Sequence, residues 1–178
     1  MKKLLLVAAT AAGLVSIAPA FAADGTITVT GTVAANTCRI AGTSGTNVNV
    51  ALPSVPTTAL AAAGETAATT PFAINVSGCT GGTSAQAFFE PSASIDPTTH
   101  GLRNSTAAGS ASNVQVKLLN SDLTQIQLAG VRGAQASQSV VTDTNGAGTL
   151  NYYAQYYATG AATPGSVNTS VQFTMIYN

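Results

Sequence analysis

The sequence predicts an all-β fold, a β-sandwich of immunoglobulin-like architecture. Three observations lead there. Short segments alternate apolar and polar residues with period two, as strands with one dry and one wet face do. Clusters of Gly, Pro, Asn, Asp and Thr separate these segments at short intervals. The one Ala-rich stretch, residues 57–68, contains Gly64 and lacks an apolar stripe, which predicts a short helical turn and no long helix.

The first residues stand apart from this pattern. Met1-Lys2-Lys3 is a positively charged start, and the apolar run from Leu4 to Ile17 is broken only by Thr10, Gly13 and Ser16. Pro19 then precedes Ala20-Phe21-Ala22, an A-x-A cleavage site. This is the pattern of a secretory signal peptide, and the run falls short of the roughly 20 apolar residues that a membrane span needs. Residues 1–22 are therefore expected to be removed and the mature chain to begin at Ala23. Ala18-Pro19-Ala20 is a second site, which would put the start at Phe21.

The next segment, residues 26–33, is the first strand candidate. Ile27, Val29, Gly31 and Val33 alternate with Thr26, Thr28, Thr30 and Thr32. Such a strand is made to fit a groove, in its own domain or in another. Further strands are predicted at residues 47–52, 72–77, 85–90, 113–119, 150–157 and 170–177. Turn-rich segments lie between them at 78–82, 96–101, 143–146 and 163–165. In the terminal strand Val171, Phe173, Met175 and Tyr177 share one face, and Gln172, Thr174 and Ile176 share the other. Tyr152, Tyr153, Tyr156 and Tyr157 suggest a sugar-stacking platform at first sight. At strand spacing, however, each neighbouring pair splits across the two faces, which predicts core plus surface.

Cys38 and Cys79 are the only cysteines. An even count in an exported chain predicts a disulfide. Closing a loop of about 40 residues would stabilise the fold by roughly 4 kcal/mol in the chain-entropy model. The pair and one distant His100 lack zinc-site spacing, so no metal ligand is expected.

Charge is scarce. The chain has six Lys+Arg, six Asp+Glu and one His, 7% charged residues in all, against about 25% in an average domain. Lys2 and Lys3 leave with the signal peptide. The remaining four basic residues cannot build the patch that displaces counterions from phosphates, so no nucleic-acid partner is expected. A rich acid–base site is disfavoured for the same reason. His100 sits in a turn with Asp96 and Ser94 nearby, but a triad is defined by geometry, and no G-x-S-x-G elbow is present. No catalytic or cofactor-binding residue is predicted.

Five segments, in order, resemble the chaperone–usher pilins, in particular the major subunit of type 1 fimbriae. Residues 23–33 followed by Cys38 resemble the pilin donor-strand extension. Residues 70–79, ending in Gly78-Cys79, resemble the strand that brings in the second cysteine. Gly101-Leu102-Arg103-Asn104 with residues 107–119 resembles the central L-x-N … A-x-N-V-x-V-x-L-L region. Residues 152–165, with Tyr156-Tyr157-Ala158-Thr159-Gly160, resemble Y-x-A-T-G-x-A-T-P-G. The end carries a penultimate aromatic, Tyr177, and a Gly fourteenth from the C-terminus, Gly165.

The resemblance implies an immunoglobulin-like sandwich lacking its last strand, completed by a donor strand from a neighbouring subunit. It divides the chain into a signal peptide (1–22), a donor-strand extension (23–36) and a pilin domain (37–178). Gly25, Ile27, Val29, Gly31 and Val33 become the donor residues, with Ile27 and Val29 as the main apolar plugs. Gly165, Val171, Phe173, Met175, Tyr177 and Asn178 become the groove wall and the surface met by chaperone and subunit. The implied partners are copies of the chain itself in a helical fibre, a periplasmic chaperone, an outer-membrane usher and a separate tip adhesin. The implied location is the cell surface, in a fimbrium that supports adhesion. A minor adaptor pilin and a small secreted carbohydrate-binding module are the alternatives.

Overall fold

The computed structural model describes residues 28–31, 38–41 and 47–178. The expected signal peptide, and Gly25, Ile27 and Val33 of the extension, lie outside the described residues. The chain divides into two units, Met1–Ala34 and Ala35–Asn178. In the first, residues 28–31 belong to no strand and Val29 is 88% exposed. The alternation of residues 26–33 gives this segment two faces.

The second unit is a sandwich of two antiparallel sheets. Its strands are β1 (Arg39–Ala41), β2 (Thr66–Ser77), β3 (Ser84–Phe89), β4 (Leu102–Arg103), β5 (Val114–Leu119), β6 (Ser139–Val141), β7 (Gly148–Ala158) and β8 (Phe173–Tyr177). One sheet has the order β1-β2-β7-β5-β4 and the other β6-β3-β8. A 3-10 turn at Thr57–Leu60 is the helical turn anticipated in the Ala-rich stretch.

β7 is the spine of the larger sheet, paired with β2 on one side and β5 on the other. Its alternation is complete: Leu150, Tyr152, Ala154, Tyr156 and Ala158 are buried, and the residues between them face outward. The tyrosines split as their spacing predicts, Tyr152 and Tyr156 into the core, Tyr153 and Tyr157 onto the outer face. There the Lys117 ammonium lies 3.5 Å from the Tyr157 ring centroid, and burial lowers its pKa. Opposite β7, the small side chains Ala85 and Ala87 and the ring of Phe89 form the inner face of β3. Aromatic bulk from one sheet fills the space left by alanines in the other, the interdigitation that close packing requires.

Several expectations change. β2 begins at Thr66, not 72, because a register shift between Ala67 and Thr70, with Ala68 at φ 57, lets the Ala/Thr stretch rejoin the ladder. Pro71 is tolerated because, among the described residues, β1 pairs with β2 only at Asn75–Ser77, leaving that side of Pro71 an edge. β1, β4 and β6 are two or three residues long, too short to show a period. Residues 47–52, predicted as a strand, form none. They make no backbone hydrogen bond among the described residues, although Val50 and Leu52 pack against the core. The period-two pattern there reports a buried face without a partner for the backbone.

Candidate functional site

Three features meet along one side of the sandwich. β8 ends the smaller sheet, and among the described residues nothing pairs with its outer edge. The extended segment at 47–52 is likewise unpaired. Between them opens a groove of about 960 Å³. Its floor is the core itself: Phe72, Ile74, Phe89, Val116, Leu118 and Tyr156 all line it. Burial raises the Tyr156 pKa. Among the described residues Glu90 is the single charged one in the lining, and its carboxylate accepts a hydrogen bond from the Thr174 hydroxyl at 2.6 Å. The groove follows residues 167–174 into the start of β8. A sandwich with both sheets complete would have this space filled.

β8 is held to β3 by a regular register, Phe173 opposite Phe89, Met175 opposite Ala87 and Tyr177 opposite Ala85. This turns Val171, Phe173 and Met175 toward the core, where each is half-buried and packs against it. Val171 and Phe173 line the groove directly. The Phe173 and Phe89 rings lie 6.5 Å apart, centroid to centroid. Tyr177 is half-buried and burial raises its pKa. Asn178 is exposed and its backbone exchanges two hydrogen bonds with Ser84, of 2.8 and 2.9 Å.

Gly165 sits apart from β8, in a second cavity of about 340 Å³ lined also by Leu60, Val114 and Ala162. Tyr156 and Val167 line both cavities, so the second adjoins the first. A Cβ on Gly165 would fall 2.4 Å from the Ala111 nitrogen. Only glycine lets the segment that leads into β8 lie against residues 109–111, where Ser166 bridges Ser110.

Cys38 and Cys79 form a disulfide, with Cα atoms 4.2 Å apart, that ties the start of β1 to the residues after β2. Among the donor residues inferred from sequence, only Val29 and Gly31 are described, and both are exposed. Sequence reasoning missed Val50, Leu52, Phe72, Val116 and Leu118 as groove residues. They read as ordinary core, and nothing local marks them as core left open. His100 takes no part in a triad: Asp96 accepts from the Thr98 and Thr99 amides, Arg103 and Gln115.

An incomplete immunoglobulin-like sandwich whose missing strand leaves an apolar groove is the architecture of a pilin, a subunit built to be completed by another polypeptide. Residues 52–178 match the family described as type-1 fimbrial protein, A. The chain is 48% identical over 160 residues to the major fimbrial subunit SMF-1 of Stenotrophomonas maltophilia, covering 88% of this chain and 94% of the relative. It is 44% identical to the F17 fimbrial protein of Escherichia coli, covering 86% and 87% of the two chains. A subunit of a solved chaperone–usher pilus superposes with a TM-score of 0.57 at 16% identity, over 90% of this chain and 100% of that one, which shows the shared fold.

The chain belongs to the type-1 fimbrial protein family. It is a structural subunit that assembles with copies of itself into an extracellular surface fimbrium.

Proposed function

We propose that this subunit polymerises by donor-strand exchange. The extension at 23–36 of one copy lies in the groove of the next and pairs with the free edge of β8. Adding a strand to an open sheet edge is a general mode of recognition, and chaperone–pilin complementation is an established instance of it. The single observation that carries the reading is the groove of about 960 Å³ floored by core side chains beside the outer edge of β8, which among the described residues has no partner. An open edge over apolar surface is an aggregation hazard unless something covers it.

In this reading Ile27 and Val29 are the main plugs and Val33 a third, each contributing roughly 1.5–3 kcal/mol on burial. Gly25 and Gly31 fit where the groove is tight. Val171, Phe173, Met175 and Tyr177 form the wall, and Gly165 keeps the second cavity open at its end. A periplasmic chaperone covers the groove first, pairing with β8 and holding the Asn178 carboxylate. An outer-membrane usher then receives the subunit, and a separate tip adhesin supplies receptor binding. The signal peptide at 1–22 starts this route. The chain is not an enzyme: what it contributes is surface and strand pairing.

Deleting residues 23–36 tests the reading. The deletion variant is expected to bind chaperone at wild-type level and to form no fibres. Fibres from the deletion variant would overturn the donor role. Copies per fibre separate a shaft subunit, present many times, from an adaptor, present once.

A further inference from the structure

The smaller sheet has two edge strands, β8 and β6. On the other side of β3, β6 is short. It pairs with Ser84, Ala85 and Gln86 and stops. The Thr83 carbonyl accepts from the Thr142 amide, at 2.9 Å. Beyond β6, side chains take over. At Phe89 both backbone groups are met by one residue. The Phe89 N–H donates to Gln135 Oε1 at 2.9 Å, and Gln135 Nε2 donates to the Phe89 carbonyl at 2.7 Å. A primary amide presents one acceptor and donors on the same side, as a paired strand residue does.

Gln135 is 3% exposed. Its Nε2 also donates to the Leu128 and Gly130 carbonyls, at 3.0 and 3.1 Å. The amide is thus locked inside its own loop while it serves Phe89. From the same loop, the Arg132 guanidinium lies 5.0 Å from the Phe88 ring centroid, covering the outer face of β3. The Gln135 bonds to Phe89 satisfy backbone groups of a buried residue, and in doing so leave this stretch of β3 no free N–H or C=O for edge-to-edge pairing.

We infer that Gln135 is a specificity-determining residue of assembly: it completes the ladder of β3 where the three-residue β6 ends, so that an incoming strand finds no open stretch of β3 on the side away from β8. This rests on the reading that growth occurs by strand addition at β8. Directional, unbranched growth needs one acceptor edge per subunit, and Gln135 removes one competitor beside the short β6.

The test compares the full chain with Q135L and Q135E, each with and without an excess of a synthetic peptide of residues 23–36. Leucine removes every amide bond. Glutamate keeps the acceptor for the Phe89 N–H and loses the three donations to carbonyls, so it probes the seal should Q135L not fold. The expected result is hydrogen exchange at the Phe89 amide about tenfold faster in Q135L, with the Phe88 amide, which faces β8, unchanged. In both variants, laterally associated or branched particles are expected that persist when the peptide occupies the groove. Wild-type chain with peptide is expected to stay unpolymerised. Unchanged Phe89 protection, with variants that remain single-file and are fully blocked by peptide, would overturn the inference. Fibres from wild-type chain in saturating peptide would instead overturn the underlying reading of the groove.

Discussion

The ring of Tyr152 stands edge-on to that of Phe89, centroids 5.9 Å apart and planes at 78°, and so joins the two sheets beneath the groove. Phe72 also stacks on Tyr152, at 5.5 Å. Both phenylalanines line the groove. The fully buried tyrosine therefore sets the depth at which a completing strand meets the core. Its hydroxyl is 3.0 Å from that of Ser137, and burial raises its pKa.

Two substitutions separate the ring from the hydroxyl. Tyr152→Phe keeps the aromatic cluster and leaves the buried Ser137 hydroxyl without its partner, at a cost of about 1–3 kcal/mol. Tyr152→Ala removes the ring as well and is expected to cost about 3–5 kcal/mol. Urea denaturation of the subunit in its chaperone complex measures both. Equal losses for the two would show that the ring contributes nothing to the groove floor.

Gly146 is a second place where backbone geometry leaves no choice. It has φ 72, and an added Cβ would lie 1.9 Å from the Cys79 carbonyl oxygen. The Cys79 amide donates to the Gly146 carbonyl at 3.1 Å, so the turn after β6 clamps the disulfide end of β2. Gly146→Ala is expected to lower the melting temperature by well over the few degrees that about 1 kcal/mol produces. Gly64→Ala is the control: φ is 94 but nothing lies within 4 Å, so it meets torsional strain alone. A smaller effect at Gly146 than at Gly64 would contradict the clamp.

Asp96 links pH to stability. The Thr98 and Thr99 amides, with Arg103 and Gln115, hold its carboxyl below the ordinary value of 3.8. The folded pKa is depressed, so the stabilisation is complete above the unfolded pKa. It is lost as pH falls from there through the folded value. Asp96→Asn is expected to flatten the acid limb of the stability–pH profile below about pH 4. An unchanged acid limb would place the acid sensitivity elsewhere.

Loss of the Cys38–Cys79 disulfide acts on the unfolded chain. The sequence separation is 41, and removing such a bridge from a small exported domain costs about 2–5 kcal/mol. Replacing both cysteines by serine is expected to lower the unfolding free energy by that amount, read as a lower urea midpoint. A variant as stable as the parent would mean that the bridge is dispensable.

Much of this fold is legible in the sequence, for a local reason. A strand's inward and outward faces follow from its period of two, and the residues of β7 carry that period without a break. The same holds for β8, whose core-facing Phe173 and Met175 read directly from the alternation, although the strand starts at Phe173 and not at 170. Short strands such as β4 and β6 escape because two or three residues carry no period. Residues 47–52 mislead because burial of one face looks the same whether or not the backbone finds a partner. Gln135 carries no sequence signal at all, since a buried amide and a surface amide are the same letter in a polar loop.

The order of residues settles which side chains of the long strands go inward and where the chain turns. It also settles that the cysteines are even in number and that charge is scarce. Which edges are paired is settled only by the assembled sheets. Strand faces are set by neighbours two residues apart. Edges are set by hydrogen bonds between segments as distant as Phe89 and Phe173, or Phe89 and Gln135. An open edge is the lack of such a distant partner, and no local pattern records a lack. The groove beside β8 and the seal opposite it therefore become visible only once β3 has found its neighbours.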